Sequence, residues 1–162
     1  TLYRDRHWEY VERRSARGAA AMLALTAERE LVLVEQYRIP CHARTIELPA
    51  GVIGDSAEFA DESIEDSALR ELLEETGYQG ASARLLLSGP TAAGMTAETS
   101  NIVLVEGLKK VHAGGGVDGE DITVHVVPLT DIDGWLAAKR GEGLLIEPKI
   151  YAALYFVLKH KL

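Results

Sequence analysis

Runs of apolar and β-branched residues, several of them alternating with polar residues, recur along the chain at lengths typical of β-strands. They occupy residues 7–12, 19–25, 31–35, 45–48, 83–88, 101–106 and 122–127. The polar residues 26–30 between the second and third runs predict an antiparallel pair with a tight connection. The first run is interpreted as half of a hairpin whose other strand lies upstream. The pattern therefore predicts a sheet assembled from both halves of the chain.

A different periodicity marks the segment from Ser63 to Thr76, which contains no Gly or Pro. Asp61 and Ser63 offer side-chain oxygens that can cap the first turn of a helix. Gly77 follows the last turn, where a left-handed residue commonly ends a helix. The segment is therefore predicted to be helical from end to end.

Two further helices are predicted after the last strand. Residues 130–140 form one, capped by Thr130, and residues 149–161 form the other, opened by Pro148. The last helix has one apolar face and is interpreted as core structure rather than as part of a site. With strands on both sides of the first helix, this order predicts an α/β fold in which helices cover both faces of a central mixed β-sheet. A chain of 162 residues suits one domain, 1–162, and is too short for two ordinary ones.

The first predicted helix places three carboxylates on one face. Glu71, Glu74 and Glu75 fall within a sector of about 100° on a helix that turns about 100° per residue. Their charges repel one another and crowd the half of the helix where the dipole disfavours anions. A hard divalent cation such as Mg²⁺ or Mn²⁺ would offset both effects, and Arg70 is placed to orient one carboxylate. The alternative is a solvated acidic face with no ligand, which is the commoner meaning of a charge run.

The charge of the whole chain narrows the class of partner. A net charge of -8 and an isoelectric point near 5.1 argue against a nucleic-acid surface or an anionic membrane as partner. An anionic small-molecule substrate stays compatible if bound metal and local arginines reverse the field inside the site. The lone Cys41 excludes an internal disulfide, and no apolar run approaches the roughly 20 residues of a membrane span, so a cytoplasmic protein is expected. The chain begins at Thr1 rather than Met, which leaves upstream residues and an N-terminal address open.

The acidic helix and the loop before it resemble the Nudix box, the signature of hydrolases that cleave nucleoside diphosphates linked to another moiety. The match consists of Glu62, seven intervening residues and then Arg70-Glu71-Leu72-x-Glu74-Glu75-x-Gly77-Tyr78, opened by Leu48-Pro49-Ala50-Gly51. The chain departs from the family pattern in one respect, because ten residues rather than five separate Gly51 from Glu62. The loop therefore carries an insertion, placed within residues 54–62. The helical carboxylates are unaffected by it.

Other stretches are similar to the branch of the Nudix superfamily that acts on ADP-ribose and other nucleoside diphosphate sugars. They are the runs Val34-Glu35-Gln36-Tyr37-Arg38, Glu47-Leu48-Pro49-Ala50-Gly51 and Gly119-Glu120-Asp121-Ile122-x-Val124-His125-Val126-Val127. The resemblance implies a Nudix α/β/α sandwich and a metal-dependent pyrophosphohydrolase. The implied reaction converts ADP-ribose to AMP and ribose 5-phosphate, with GDP-mannose or another nucleoside diphosphate sugar as the alternative substrate.

The same resemblance implies the catalytic and metal-binding residues. Glu71, Glu74 and Glu75, together with the backbone carbonyl of Ala50, would hold two or three Mg²⁺ ions, with Mn²⁺ as an alternative. Glu120 is implied as the general base, next to a loop rich in glycine that would close over substrate. Glu98 and Asp121 are the alternatives for that base. Glu74 and Arg70 complete the implied catalytic set.

Five residues are candidates for substrate binding. The guanidinium of Arg38 suits either a diphosphate or a stacked base, and its alternative is an ordinary surface ion pair. Glu47 would either reach the metal site or pair with Arg44. The segment 89–98 is predicted to be a loop, and the resemblance makes it a substrate loop with Gly94 and Glu98 at recurrent positions and Met95 lining the pocket. A merely structural loop is the alternative.

Two other classes of function stay open. A Nudix-shaped module could sense ADP-ribose or a similar nucleotide without cleaving it, although such a module has no need of three repelling acids. An acidic structural domain would show no effect of Mg²⁺ on its melting temperature. The resemblance also implies a homodimer that completes its site through N-terminal strands, with residues 1–17 as the dimerisation region.

Overall fold

The computed structural model describes residues 1–13, 18–54, 56–117 and 119–162. Its strands and helices, in chain order, are β1 (Leu2–Asp5), β2 (Trp8–Val11), β3 (Ala19–Ala24), β4 (Glu30–Arg38), a 3-10 turn (Ile39–Cys41), β5 (Ala43–Glu47), β6 (Ala50–Val52), α1 (Ile64–Thr76), β7 (Tyr78–Gln79), β8 (Ser82–Pro90), β9 (Thr99–Glu106), β10 (Lys109–Lys110), β11 (Thr123–Pro128), α2 (Ile132–Gly141), β12 (Leu145–Ile146) and α3 (Pro148–His160). The longer elements agree with the segments predicted from hydrophobic periodicity.

Two four-stranded sheets form the centre of the molecule. One has the strand order β11-β4-β5-β12 and the other has the order β6-β3-β9-β8. Each contains one parallel pair, β5 with β12 in the first and β3 with β9 in the second, among antiparallel neighbours. Both sheets are therefore mixed.

Alternation along the central strands directs side chains into two hydrophobic clusters. Met22 of β3 packs in one cluster with Leu72 of α1. Leu23, the next residue, belongs to the other cluster, which also contains Leu136 of α2 and Ile150 of α3. Because successive side chains on a strand point to opposite faces, α1 lies on one side of β3 and the two C-terminal helices lie on the other.

Helix α1 begins and ends where its local signals predict. The Ser63 hydroxyl accepts a hydrogen bond from the Asp66 amide at 3.0 Å, which satisfies one of the free N–H groups of the first turn. Gly77 ends the helix with a φ of 69°, and its N–H donates to the Leu73 carbonyl. A side chain in that left-handed conformation would be strained, so glycine suits the position.

The predicted N-terminal hairpin is confirmed, because β1 lies upstream of β2 and pairs with it antiparallel, with Leu2 opposite Val11. Two other predictions from the sequence are wrong. Strands β3 and β4, predicted as an antiparallel pair, belong to different sheets, and among the described residues they share only the isolated bridge between Leu25 and Leu31. Helix α2 has Asp131 rather than Thr130 at its N-cap, and the Thr130 hydroxyl donates to the Asp131 carboxylate instead.

The predicted dimerisation region is described only in part, since residues 14–17 lie outside the described residues. Within the described ranges, no helix is long and apolar enough to cross a membrane.

Candidate active site

The carboxylates of α1 lie against the short strand β6. The Ala50 amide donates a hydrogen bond to Oε2 of Glu75 at 2.9 Å. Gly51 lies so close to Glu71 that a Cβ atom at this glycine would be 2.0 Å from Cδ of Glu71. Residues 50 and 51 therefore meet two of the predicted metal-binding carboxylates directly.

Glu75 is the most deeply buried of these acids, with 4% of its surface exposed. Burial raises the pKa of its carboxyl to about 8, and the charges of Glu71 and Glu120 act in the same direction. The single N–H donor from Ala50 lowers the pKa but offsets only part of the burial effect. A buried carboxylate with so little compensation is a favourable position for a bound cation.

Arg70 connects the helix to the loop that precedes it. Its guanidinium makes two hydrogen bonds to the Glu62 carboxylate, at 3.2 and 3.0 Å. It also donates to Glu71 at 2.8 Å and to Glu74 at 3.3 Å. The ring of Phe59 lies 4.1 Å from the guanidinium carbon, within cation–π distance. Glu62 is thus an anchor for Arg70, and Phe59 comes from the predicted insertion.

The arrangement is not a preformed metal centre. Within the described ranges, no three Asp, Glu, His or Cys side chains are grouped so that they could hold a metal ion. The Glu71 and Glu74 carboxylates are turned toward Arg70, while Glu75 is turned toward Ala50. The donor set nevertheless fits a hard divalent cation, because carboxylate and carbonyl oxygens are the ligands such ions prefer.

The glycine-rich loop before β11 lies against the C-terminal end of α1. The amide of Gly115 donates to the Glu75 carbonyl at 2.8 Å, and the amide of Gly116 donates to the Glu74 carbonyl at 3.3 Å. Glu120 folds back over this loop, and its Oε2 accepts a hydrogen bond from the Val117 amide at 3.1 Å. Helix α1 and the loop therefore bring the predicted base close enough for its charge to raise the pKa of Glu75.

The alternative bases are held in ion pairs. Asp121 accepts from Arg44 at 2.9 Å, and Arg44 also donates to Glu35 at 2.7 Å. Glu98 accepts from Arg13 at 2.8 Å. The alternative that Glu47 pairs with Arg44 is wrong, because Arg44 pairs with Glu35 and Asp121 while Glu47 pairs with Arg38.

Arg38 and Glu47 meet in a cavity of about 640 Å³. The guanidinium makes a bidentate contact with the carboxylate, at 2.8 and 2.6 Å, and the Thr45 hydroxyl donates a further short hydrogen bond to Glu47. Burial favours the neutral form of Glu47, but the bonds from Arg38 and Thr45 outweigh it and hold the pKa of the carboxyl below its ordinary value. Arg38 also lies within electrostatic reach of Glu75, and the charge of Glu75 helps to raise the pKa of Arg38.

The predicted substrate loop is divided between two places. Glu98 forms an ion pair with Arg13, and Arg13 lines the Arg38 cavity. Gly94 and Met95 instead line a separate cavity of about 360 Å³, together with Trp8 of the N-terminal hairpin. The Met95 carbonyl accepts a hydrogen bond from the Val11 amide, so the hairpin is fastened to the loop.

Three residues at the site were missed from the sequence. The role of Phe59 could not be predicted from the sequence, because an aromatic residue in a polar loop can pack in many different ways. Arg13 and Glu147 both line the Arg38 cavity. Glu147 directly precedes Pro148, a position that suggested only a helix start.

Comparison with known proteins identifies the class to which this fold and site belong. Residues 15–144 match the NUDIX domain family, and the chain belongs to that family. The predicted relationship is confirmed.

Individual relatives cover most of the chain. It is 34% identical over 148 residues to the Methanol dehydrogenase activator of Bacillus methanolicus, a match that covers 89% of this chain and 76% of the relative. It is 32% identical over 147 residues to the ADP-ribose pyrophosphatase of Bacillus subtilis (strain 168), covering 90% and 75%. It is 33% identical over 180 residues to the ADP-sugar pyrophosphatase of Mus musculus, covering 99% and 79%.

A solved structure described as an ADP compounds hydrolase superimposes on the chain with a TM-score of 0.73. The match covers 94% of this chain and 76% of that one at 21% identity. At that identity the likeness concerns the fold, and it confirms the predicted α/β Nudix architecture.

Proposed function

We propose that this protein is a divalent-metal-dependent pyrophosphohydrolase that cleaves the diphosphate of a nucleoside diphosphate sugar, with ADP-ribose as the preferred substrate class. The observation that carries the proposal is the convergence of Glu71 and Glu75 on residues 50–51, with Glu120 brought to the same place by a separate loop. The names of the relatives in Bacillus subtilis and Mus musculus support the choice of substrate.

Glu71, Glu74 and Glu75, with the Ala50 carbonyl, would hold the cation. When bound there, a divalent ion such as Mg²⁺, or Mn²⁺ in its place, would polarise the phosphoryl oxygens and offset charge on the leaving phosphate. Arg70 holds the Glu71 and Glu74 carboxylates in place from the side of the inserted loop.

Glu120 is the proposed general base. A water oxygen forms a new bond to one phosphorus while the bridging P–O bond breaks, and the proton of that water passes to Glu120. The products are AMP and ribose 5-phosphate. Arg38 would bind the diphosphate or the nucleobase once its contact with Glu47 opens. Glu98 is the proposed acid of the substrate loop, and it is paired with Arg13.

The direct test is turnover of a panel that includes ADP-ribose, ADP-glucose and GDP-mannose, with and without Mg²⁺. Alkaline phosphatase added to the assay releases phosphate from both products. We expect Mg²⁺-dependent release that is fastest with ADP-ribose. Absence of turnover on every substrate, together with a ligand-induced rise in melting temperature, would favour a nucleotide-sensing module instead.

Glu75→Gln separates catalysis from folding. The amide keeps an acceptor for the Ala50 N–H but removes the buried charge, so we expect kcat to fall at least about 100-fold, since metal assistance contributes several kcal/mol. The melting temperature without metal should hold or rise, and the increment produced by Mg²⁺ should be lost. Glu142→Gln, which changes an exposed acid at the C-cap of α2, is the matched control and should resemble the wild type.

We also propose that the N-terminal hairpin is the interface of a homodimer. Leu2, Trp8, Val11 and the adjoining Met95 are all exposed, between 42% and 72% of their surfaces. An exposed apolar patch fastened to the predicted substrate loop suits a second copy of the chain. Light scattering at micromolar concentration should give twice the chain mass of 17.6 kDa, and Trp8→Glu should shift it toward the monomer. A monomeric wild type would contradict the interface, while a cytoplasmic location stays a prediction.

A further inference from the structure

A second cavity lies beside the Arg38 cavity, between the start of α3 and strands β8 and β9. Its volume is about 350 Å³, and Glu147 and Pro148 line both cavities. A water molecule takes about 30 Å³ in the liquid, so this space suits a ligand group of about ten heavy atoms. The two cavities therefore form neighbouring compartments that share the first residues of α3 as a wall.

Two residues that line this second cavity each carry a buried polar atom without a hydrogen-bond partner among the described residues. Oε2 of Glu147 and Oγ of Ser100 are both shielded from solvent, and neither has a hydrogen-bond partner among the described residues. Buried polar atoms without a partner are uncommon in folded proteins, so their presence in residues that line a cavity indicates a ligand or water that completes them.

Glu147 is not explained by the structure of the helix it precedes. It occupies the N-cap of α3, yet its side chain makes no capping hydrogen bond. Its Oε1 is paired with the ammonium of Lys149, which leaves Oε2 as the free acceptor. The Glu147 carboxylate therefore does not cap helix α3.

The charge of the cavity indicates what kind of group it would accept. The ionisable residues that line it, Glu147 and Lys149, form an ion pair with each other and contribute no net charge. A phosphate would gain nothing there, whereas a neutral ring bearing hydroxyl groups could donate to the free carboxylate oxygen and exchange a hydrogen bond with Ser100. The Arg38 cavity is the compartment proposed for the diphosphate, since Arg38 lines it and lies within electrostatic reach of Glu75.

We propose that Glu147 and Ser100 form a subsite that binds the hydroxyl groups of the terminal sugar of the substrate. The proposal rests on the proposed hydrolysis of a nucleoside diphosphate sugar, and it adds residues of α3 and β9 to the site.

The test is a cycle of enzyme variants and substrates. The substrates are ADP-ribose and a set of deoxy analogues, each lacking one hydroxyl group of the terminal ribose. Each substrate is assayed with the wild type, with Glu147→Gln and with Ser100→Ala. Hydrogen bonds to charged groups predict that wild type loses about 10-fold or more in kcat/KM on one deoxy analogue. Glu147→Gln should lose a similar factor on ADP-ribose, mainly through KM, and should no longer distinguish that analogue. Equal losses on all substrates, or none, would overturn the subsite.

Gly89→Val provides a variant that removes no polar group. Gly89 lines the same cavity, and nothing lies within 4 Å of the position of a Cβ at this residue, so folding should be unaffected. The added side chain takes up space in the cavity and should raise KM for ADP-ribose at an unchanged melting temperature. Unchanged KM would count against the subsite, and Glu142→Gln serves again as the remote control.

Binding measurements keep the two proposals distinguishable. Calorimetry with Mg²⁺ and an ADP-ribose analogue that carries a methylene in place of the bridging oxygen reports binding without cleavage. If wild type fails to turn over ADP-ribose but binds the analogue, and Glu147→Gln weakens that binding about 10-fold, the hydrolase proposal fails and the subsite stands. If wild type turns over ADP-ribose and the variants match it, the subsite alone fails. If wild type neither binds nor cleaves, both are refuted.

Discussion

Gly51→Ala would displace a carboxylate of α1 without removing any functional group. A Cβ at this position would lie 2.0 Å from Cδ of Glu71, 2.1 Å from Cγ and 2.4 Å from Oε1. Ordinary contacts of a Cβ begin at 3.4 Å, so the Glu71 side chain must move by about 1.4 Å, the difference between 3.4 and 2.0 Å. The atoms that must move belong to the end of a flexible side chain rather than to the backbone.

The expected effect on activity follows from that displacement. A misplacement of about 1 Å in a catalytic constellation can cost about 100-fold in rate, or about 2.7 kcal/mol in the activation barrier. We therefore expect kcat for ADP-ribose to fall about 100-fold at saturating Mg²⁺. The melting temperature should change little, because Glu71 can yield and Gly51 has no left-handed φ that a side chain would strain.

The assay is AMP formation from ADP-ribose, with thermal unfolding measured on the same samples. Gly134→Ala is the matched control: nothing lies within 4 Å of its Cβ position, and alanine in a helix interior should stabilise α2 by about 0.5–1 kcal/mol without loss of activity. Full activity of Gly51→Ala would refute the reasoning, because it would mean that the position of Glu71 against β6 is not needed for catalysis.

Two further substitutions test the supports of the site. Phe59→Leu removes the ring over Arg70, a cation–π contact worth about 1 kcal/mol, and should raise the Mg²⁺ concentration needed for half-maximal rate about 5-fold. Phe59→Tyr keeps an aromatic ring and should restore the wild-type requirement. An unchanged requirement in Phe59→Leu would show that the inserted loop has no part in metal binding. Arg44→Gln removes the ion pair with Asp121, the neighbour of Glu120, and so leaves the proposed base less firmly positioned. We expect kcat to fall about 10-fold with KM unchanged. A change in KM alone would contradict a role for Arg44 in positioning the base.

The parts of the fold that the sequence predicted are those with local signals. Helix α1 lies between Ser63 and Gly77 because a capping hydroxyl and a left-handed glycine act within one turn of the residues they affect. The strands follow from alternation over a few residues. Strand β1 was expected only as the unplaced partner of residues 7–12, because its sequence Leu2-Tyr3-Arg4-Asp5 does not alternate between apolar and polar residues.

The parts of the site that were missed depend on contacts between distant segments. Arg13 and Glu98 are separated by 85 residues and meet only because the hairpin packs on the loop after β8. Helical spacing predicted which acids would share a face of α1 and that Arg70 would orient one of them, but not that Arg70 would contact both Glu71 and Glu74. The Arg13–Glu98 pair follows from tertiary packing, which no spacing in the sequence encodes.

The order in which metal and substrate bind follows from the charges around the site. The chain carries a net charge of -8, and its substrate class is anionic. The arginines at the described site, Arg13, Arg38 and Arg70, are each already paired with at least one carboxylate. A diphosphate therefore meets no uncompensated positive charge there until a cation occupies the α1 carboxylates. We expect the methylene-bridged ADP-ribose analogue to bind at least about 10-fold more weakly without Mg²⁺ than with it, as measured by calorimetry, since a single charge-assisted contact contributes that much. Equal affinity in the two conditions would mean that the arginines release their partners to the diphosphate unaided, and that the cation acts on the reaction alone.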